Sequence, residues 1–207
     1  MLRILLNGRK RSKQGIVHSD IDVKTWLLGL PTVEQARPAC CPHCGRAGHA
    51  IGQVIGMLGH GIRERQLRGP IEPGGLSCIV VLQARRYRCR WCRRTVTVLP
   101  RGVVALRHYS GYAIASAFWQ YGVERRTVEQ TRKATAPGGT FDAGWASVGR
   151  WAQAAGDGSL FRDVRQWPPN WTVRQQAERI ATTLLALVAG DESDPQSRLR
   201  QAAELAA

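Results

Sequence analysis

The stretch Tyr87-Arg88-Cys89-Arg90-Trp91-Cys92-Arg93-Arg94-Thr95-Val96-Thr97-Val98 decides how this chain is read, because it answers an earlier one, Cys41-Pro42-His43-Cys44. Each Cys-x-x-Cys puts two thiols on one tight turn, which is half of a tetrahedral metal site. Each turn is followed by residues that suit thiolate charge, Gly45 and Arg46 in one case and Arg93 and Arg94 in the other. Two such knuckles, with an apolar strand entering the second, predict a structural zinc ribbon: one Zn2+ held by Cys41, Cys44, Cys89 and Cys92. The gap from Gly45 to Arg88 is 44 residues, against roughly 15–20 in the usual ribbon. The ribbon is therefore expected to carry a long inserted hairpin.

Disulfides are the competing use of these cysteines. The start Met1-Leu2-Arg3-Ile4-Leu5-Leu6-Asn7 is too short and too soon interrupted for a secretory apolar segment, so the thiols are expected to stay reduced in the cytoplasm. Neither pair has the βαβ setting of a redox Cys-x-x-Cys. Cys40 could stand in for Cys41, and His43, His49 or His60 could replace a Cys. Cys78, in Leu76-Ser77-Cys78-Ile79-Val80-Val81-Leu82, reads as a small buried apolar residue.

The 207 residues hold 30 Lys plus Arg against 15 Asp plus Glu, a net charge of +15. Lys occurs only at 10, 13, 24 and 133, so the excess is carried by Arg, whose planar fork matches phosphate and the guanine edge. The expected partner is a polyanion, double-stranded DNA first. Between 85 and 107 eight arginines occur with no acid among them. Arg85, Arg86, Arg88, Arg90, Arg93 and Arg94 are candidate phosphate contacts there, with Tyr87 and Trp91 packing or stacking beside them; a face solvated by counterions is the competing reading. Arg9-Lys10-Arg11 and Lys13 form a basic arm, either solvated or lying on phosphate. No apolar run approaches the roughly 18 residues of a membrane span. Ile180 to Ala189 is interrupted by Thr182 and Thr183 and reads as a core helix. The expected location is the bacterial cytoplasm, in association with the nucleoid.

The expected fold class is α+β, a small antiparallel zinc-ribbon sheet followed by a helical domain and C-terminal helices. Residues 1–38 form a basic arm and a short helix from Asp20 to Leu30; 39–108 form the ribbon; 109–156 form three short helices; 157–207 pack or dimerise. Within the ribbon, strands are expected over 51–58 and 62–67, broken by Gly59-His60-Gly61, then over 76–83 and 95–98. In the helical part, Ser110 caps the first helix and Gly122 ends it, a second runs from Arg125 to Ala134, and Thr140 caps a third over 141–155. That third helix is read with Asp142, Ser147, Arg150 and Gln153 facing outward. Three helices joined by Gly-bearing turns suit a helix-turn-helix whose last helix enters the major groove. Arg125, Arg126, Arg132 and Lys133 around the second helix join the candidate DNA contacts. Beyond it, Thr172 and Gln175 form a capping box for a helix striped by Val173, Ala177, Ile180, Ala181, Leu184 and Val188, and Asp194-Pro195 opens a last helix.

Taken together, Arg37-Pro38-Ala39, Cys41 to Gly45, Gly59 to Arg65, Tyr87 to Pro100 and His108-Tyr109-Ser110 resemble the zinc-ribbon modules of bacterial insertion-sequence transposases and their accessory proteins. The resemblance covers roughly residues 30–155 and includes Ser147-Val148-Gly149-Arg150-Trp151, similar to the stretch that ends the helix-turn-helix in those proteins. It implies DNA binding at transposon ends, the four cysteines as ligands, and the helix bearing Ser147 and Arg150 as the reader. Two departures stand out. The linker from Thr135 to Thr140 is longer than a tight helix-turn-helix turn. The three spaced carboxylates of two-metal phosphoryl transfer have no counterpart either, since Asp191, Glu192 and Asp194 are bunched at a helix end. The expected function is a non-catalytic, zinc-dependent DNA-binding protein of a mobile element. The alternative is an adaptor that recruits a transposase, recombinase or polymerase, with residues 156–207 as its docking or homodimer segment.

Overall fold

Apolar and polar residues alternate from Arg86 to Cys89 and from Thr95 to Val98, and the two segments pair as antiparallel neighbours in one sheet. Arg85 lies opposite Val98, Arg86 opposite Thr97, Tyr87 opposite Val96 and Arg88 opposite Thr95. Tyr87, Val96 and Val98 are therefore on one face, which is buried. Arg86, Arg88, Thr95 and Thr97 line the other.

The computed structural model describes residues 15–52, 54–138, 145–164, 166–188 and 194–206. Its elements in chain order are β1 (Ile16–Asp22), α1 (Val23–Leu28), β2 (Ala50–Ile51), β3 (Val54–Ile55), β4 (Met57–Gly69), β5 (Cys78–Cys89), β6 (Thr95–Arg101), α2 (Gly111–Phe118), α3 (Val128–Thr135), α4 (Ser147–Gly156), α5 (Val173–Leu187) and α6 (Pro195–Ala206), with a π-helical turn over Trp119–Val123. The fold class is α+β. One sheet has the order β1-β6-β5-β4, and β2 and β3 pair apart from it. The described residues fall into two compact units, one drawn from those within 15–19, 30–63 and 83–99, the other from those within 20–29, 64–82 and 100–206. The units interleave along the chain.

Two local expectations are corrected. The helix expected to start at Asp20 starts at Val23, because Ile16 to Asp22 is taken up as a strand beside β6. Asp22 then caps α1, its Oδ1 accepting from the amides of Lys24 (2.9 Å) and Thr25 (3.0 Å). The break expected at Gly59-His60-Gly61 is absent, and β4 runs through it; glycine weakens a strand without ending it. The basic arm of residues 1–14 lies outside the described residues.

The second unit is helical and conventionally capped. Ser110 Oγ accepts from the Ala113 amide at 2.9 Å, and Thr127 and Thr172 each form a full capping box with Gln130 and Gln175. Asp194 receives the amides of Gln196 and Ser197 at the start of α6. The second helix begins three residues later than expected because Thr127 is its cap. The described part of the third is α4; its expected cap, Thr140, lies outside the described residues. Ile114, Phe118, Trp151, Phe161, Ile180, Leu184 and Leu199 belong to one apolar core, with Phe118 and Phe161 edge to face at 6.5 Å. Ala177, Ile180, Ala181 and Leu184 of the α5 stripe are buried in this core. α3 and α4 each pack on α2.

Candidate metal centre and basic face

Both knuckles are built by the same backbone ring. In the first, Cys41 N–H donates to Arg46 O at 2.8 Å and Gly45 N–H to Cys41 O at 2.8 Å; in the second, Cys89 N–H donates to Arg94 O at 2.9 Å and Arg93 N–H to Cys89 O at 3.0 Å. This ring requires a left-handed residue one place after the second Cys. Gly45 takes it at φ +74° and Arg93 at φ +60°. The second knuckle is also the turn between β5 and β6, so the Cys-x-x-Cys turn and the strand hairpin are one structure.

The turns bring four sulfurs together. Cys41 Sγ lies 3.6 Å from Cys92 Sγ, Cys44 Sγ lies 3.6 Å from Cys89 Sγ, and all four are within 4.8 Å of one another. Four metal–sulfur bonds of about 2.3 Å at tetrahedral angles place sulfurs about 3.8 Å apart. The group could hold one metal ion. Cys41 and Cys89 are fully buried, Cys92 is half-buried and Cys44 exposed. Among the described residues neither Cys40 nor a histidine belongs to the group.

So many thiols in one place cannot all ionise. Burial pushes the Cys41 thiol up to about 12, and burial also raises Cys92. Burial works against the Cys89 thiolate too, yet hydrogen bonds from the amides of Cys92 and Trp91 and from the neighbouring thiols draw it down to about 7. A soft divalent cation could take the place of the thiol protons here, its two positive charges offsetting part of the negative charge of the thiolates.

Trp91, inside the second knuckle, has the Arg46 guanidinium 5.5 Å from its ring centroid. Below it lies Gly56, where a Cβ would come within 2.3 Å of Trp91 Cζ3 and 1.9 Å of Ala47 O. The Gly56 carbonyl accepts from Arg90 N–H at 2.9 Å. Sequence reasoning missed Gly56; the only signal was a small residue between two short apolar pairs.

The candidate DNA contacts divide sharply. Arg88, Arg90, Arg93 and Arg94 are exposed and Arg86 is half-buried. Arg85 instead ties the sheet to the preceding loop, donating from Nε to Pro31 O at 2.8 Å, while Tyr87 donates to Val33 O at 2.7 Å and is a packing residue. In the described part of this unit, over 15–19, 30–63 and 83–99, nine arginines face a single carboxylate, Glu34. Glu34 is already paired with the buried Arg37 at 2.6 Å. In the other unit the cations are matched: Arg125 with Glu178 (2.8 Å), Arg126 with Glu124 (2.7 Å), Arg132 with Glu129 (2.7 Å), and Lys133 4.0 Å from Glu129. Arg150 is exposed on α4, but Ser147, expected to face outward beside it, is buried at 8% exposure. With Val148, Trp151, Ala152, Ala154 and Ala155 also buried, the buried face of this short helix takes in its first turn, which is why Ser147 does not face outward.

Comparison with known protein families, with curated proteins and with solved structures gives no match. No helix among the described residues is long and apolar enough to cross a membrane.

Proposed function

We propose that this protein is a non-catalytic DNA-binding protein in which a structural Zn2+ braces an arginine face against the duplex backbone, in the manner of the insertion-sequence ribbons that it resembles. The observation that carries this reading is the row Arg86, Arg88 and Arg90, set at alternate residues with Arg93 and Arg94 at its end, in a unit whose only described carboxylate is taken. Arg86 and Arg88, alternate residues of β5, stand about 6.6–6.8 Å apart on one face, and Arg90, Arg93 and Arg94 follow in the turn, so the charge is spread along the hairpin rather than held at a point. A tetrahedral set of four thiolates favours zinc over harder cations. It also leaves no open position for substrate or water, which suits a structural role.

In this reading the phosphate backbone supplies most of the affinity, and Arg150 on α4 is the residue left to read a base edge, Ser147 being buried. The adaptor reading needs a free apolar stripe on residues 156–207, and the α5 stripe is occupied within its own unit. Fluorescence anisotropy of zinc-loaded protein on a random-sequence 20-bp duplex, from low to moderate salt, tests the proposal. The logarithm of affinity should fall linearly with the logarithm of salt, with a slope of about −0.9 per phosphate contacted, so about −4.5 if each of the five arginines meets one phosphate. A slope near zero, or no binding at the lowest salt, overturns it. Selection of bound duplexes from a random pool then shows whether any base preference exists, and Arg150→Ala should flatten it at one position by about 1–3 kcal/mol.

A further inference from the structure

The two knuckles differ at the one position where their shared geometry is most demanding. Gly45 meets the left-handed backbone without penalty, whereas Arg93 carries a side chain into it. A non-glycine, non-Asn residue at positive φ is uncommon, because its Cβ crowds the neighbouring carbonyl. Three other side chains in the described chain share this backbone region. Phe161 is fully buried in the core and Arg125 has its ion pair to Glu178, so each has a return within the fold; nothing in the structure explains Leu106. The Arg93 side chain is exposed and makes no hydrogen bond or ion pair with the described residues. Glycine at 93 would serve the ring equally well, as the first knuckle demonstrates.

We infer that Arg93 is held in a strained turn for an external contact: its guanidinium is a direct phosphate ligand, bought with stability of the second knuckle. Strained residues of this kind are maintained where the strain serves a site. Arg93 is exposed in the turn that follows β5, on the same hairpin as the exposed Arg88, Arg90 and Arg94. The inference rests on the DNA-binding reading above and adds that one residue trades fold stability for affinity.

The test is the variant Arg93→Gly beside the parent protein, both zinc-loaded, on the same random-sequence duplex. Expected is a knuckle that resists chelator longer and melts higher, with duplex affinity about tenfold weaker at 0.1 M salt and the salt slope shallower by about 0.9. Arg93→Lys, which keeps both charge and strain, should retain most of the affinity and the parent's chelator resistance. A parent that binds no duplex sinks the DNA reading as a whole. A parent that binds, with Arg93→Gly binding equally and with equal slope, overturns the assignment of Arg93 alone. A variant that loses zinc faster than the parent overturns the strain argument.

Discussion

The two units of this protein solve the problem of stability by opposite means. The helical unit has 16 basic residues against 14 acidic ones, several of them in ion pairs, and an apolar core to which α2, α4, α5 and α6 all contribute. The ribbon unit, apart from two cysteines, buries Ala36, Met57, Ala84, Tyr87, Val96, Val98 and Leu99. That is a thin core for some tens of residues, and it must also bear mutual repulsion among nine arginines. Small domains of this kind are held by cross-links or metals. The difference teaches that charge and core are divided between units: one has the larger apolar core and is nearly neutral, the other is strongly basic, thinly cored and carries the four-cysteine cluster that could hold an ion.

The largest effect is expected from denying the four-cysteine cluster a metal ion. Zinc contributes on the order of 10–16 kcal/mol in small zinc modules, so chelation, or Cys44→Ser, should abolish amide protection across 38–48 and 85–98 while α5 stays protected. Hydrogen exchange reads both at once. If α5 loses protection in step, the units are not independent in stability and the comparison breaks.

Phe118→Ala tests the other side. A truncated core aromatic costs about 3–5 kcal/mol, which urea unfolding should report for the helical unit, with metal affinity unchanged. A change in metal affinity would mean that the cores are coupled.

Between pH 6 and 8 the units should also diverge. The thiols of Cys41 and Cys92 are raised by burial, so they carry protons at neutral pH that a metal must displace. Metal affinity should therefore rise with pH, by about tenfold per unit for each proton released. In the helical unit the resolved carboxylate shifts are downward: hydrogen bonds from Ser197 and the amides of Gln196 and Ser197 lower Asp194, and the Arg132 hydrogen bond lowers Glu129. Stability from such groups is complete above the ordinary carboxylate range and is lost only as pH falls through their lower folded values. The melting of this unit should be flat from pH 6 to 8, and competition with a chromophoric chelator measures the metal side. The smallest effect is Thr172→Ala, about 1 kcal/mol from loss of the α5 cap, visible in thermal melts and silent in metal binding.

Much of the metal centre was legible in the sequence because Cys-x-x-Cys spacing encodes its own turn. The caps at Ser110, Thr172 and Asp194 were legible for the same reason, as each acts within three residues. What escaped notice depends on distant neighbours. Ile16 to Asp22 becomes a strand only because β6 lies beside it. Gly56 matters only because Trp91 arrives there from 35 positions later in the chain. Arg85 and Arg86 are adjacent and chemically identical, yet one is a structural tie and the other lies on the open face; only strand register separates them.

That register has a consequence. The turn carrying Cys89 and Cys92 closes the β5–β6 hairpin, so the placement of the two cysteines and the pairing of the strands are fixed together. Cys89 shares its phase with Tyr87, and the arginines at 86 and 88 occupy the opposite one. Slipping β5 by a single residue would turn its guanidiniums inward and Tyr87 outward. A loop elsewhere can lengthen harmlessly, but an odd insertion between Cys89 and Thr95 would invert the polarity of the whole surface, and an ion held by both knuckles would forbid that slip.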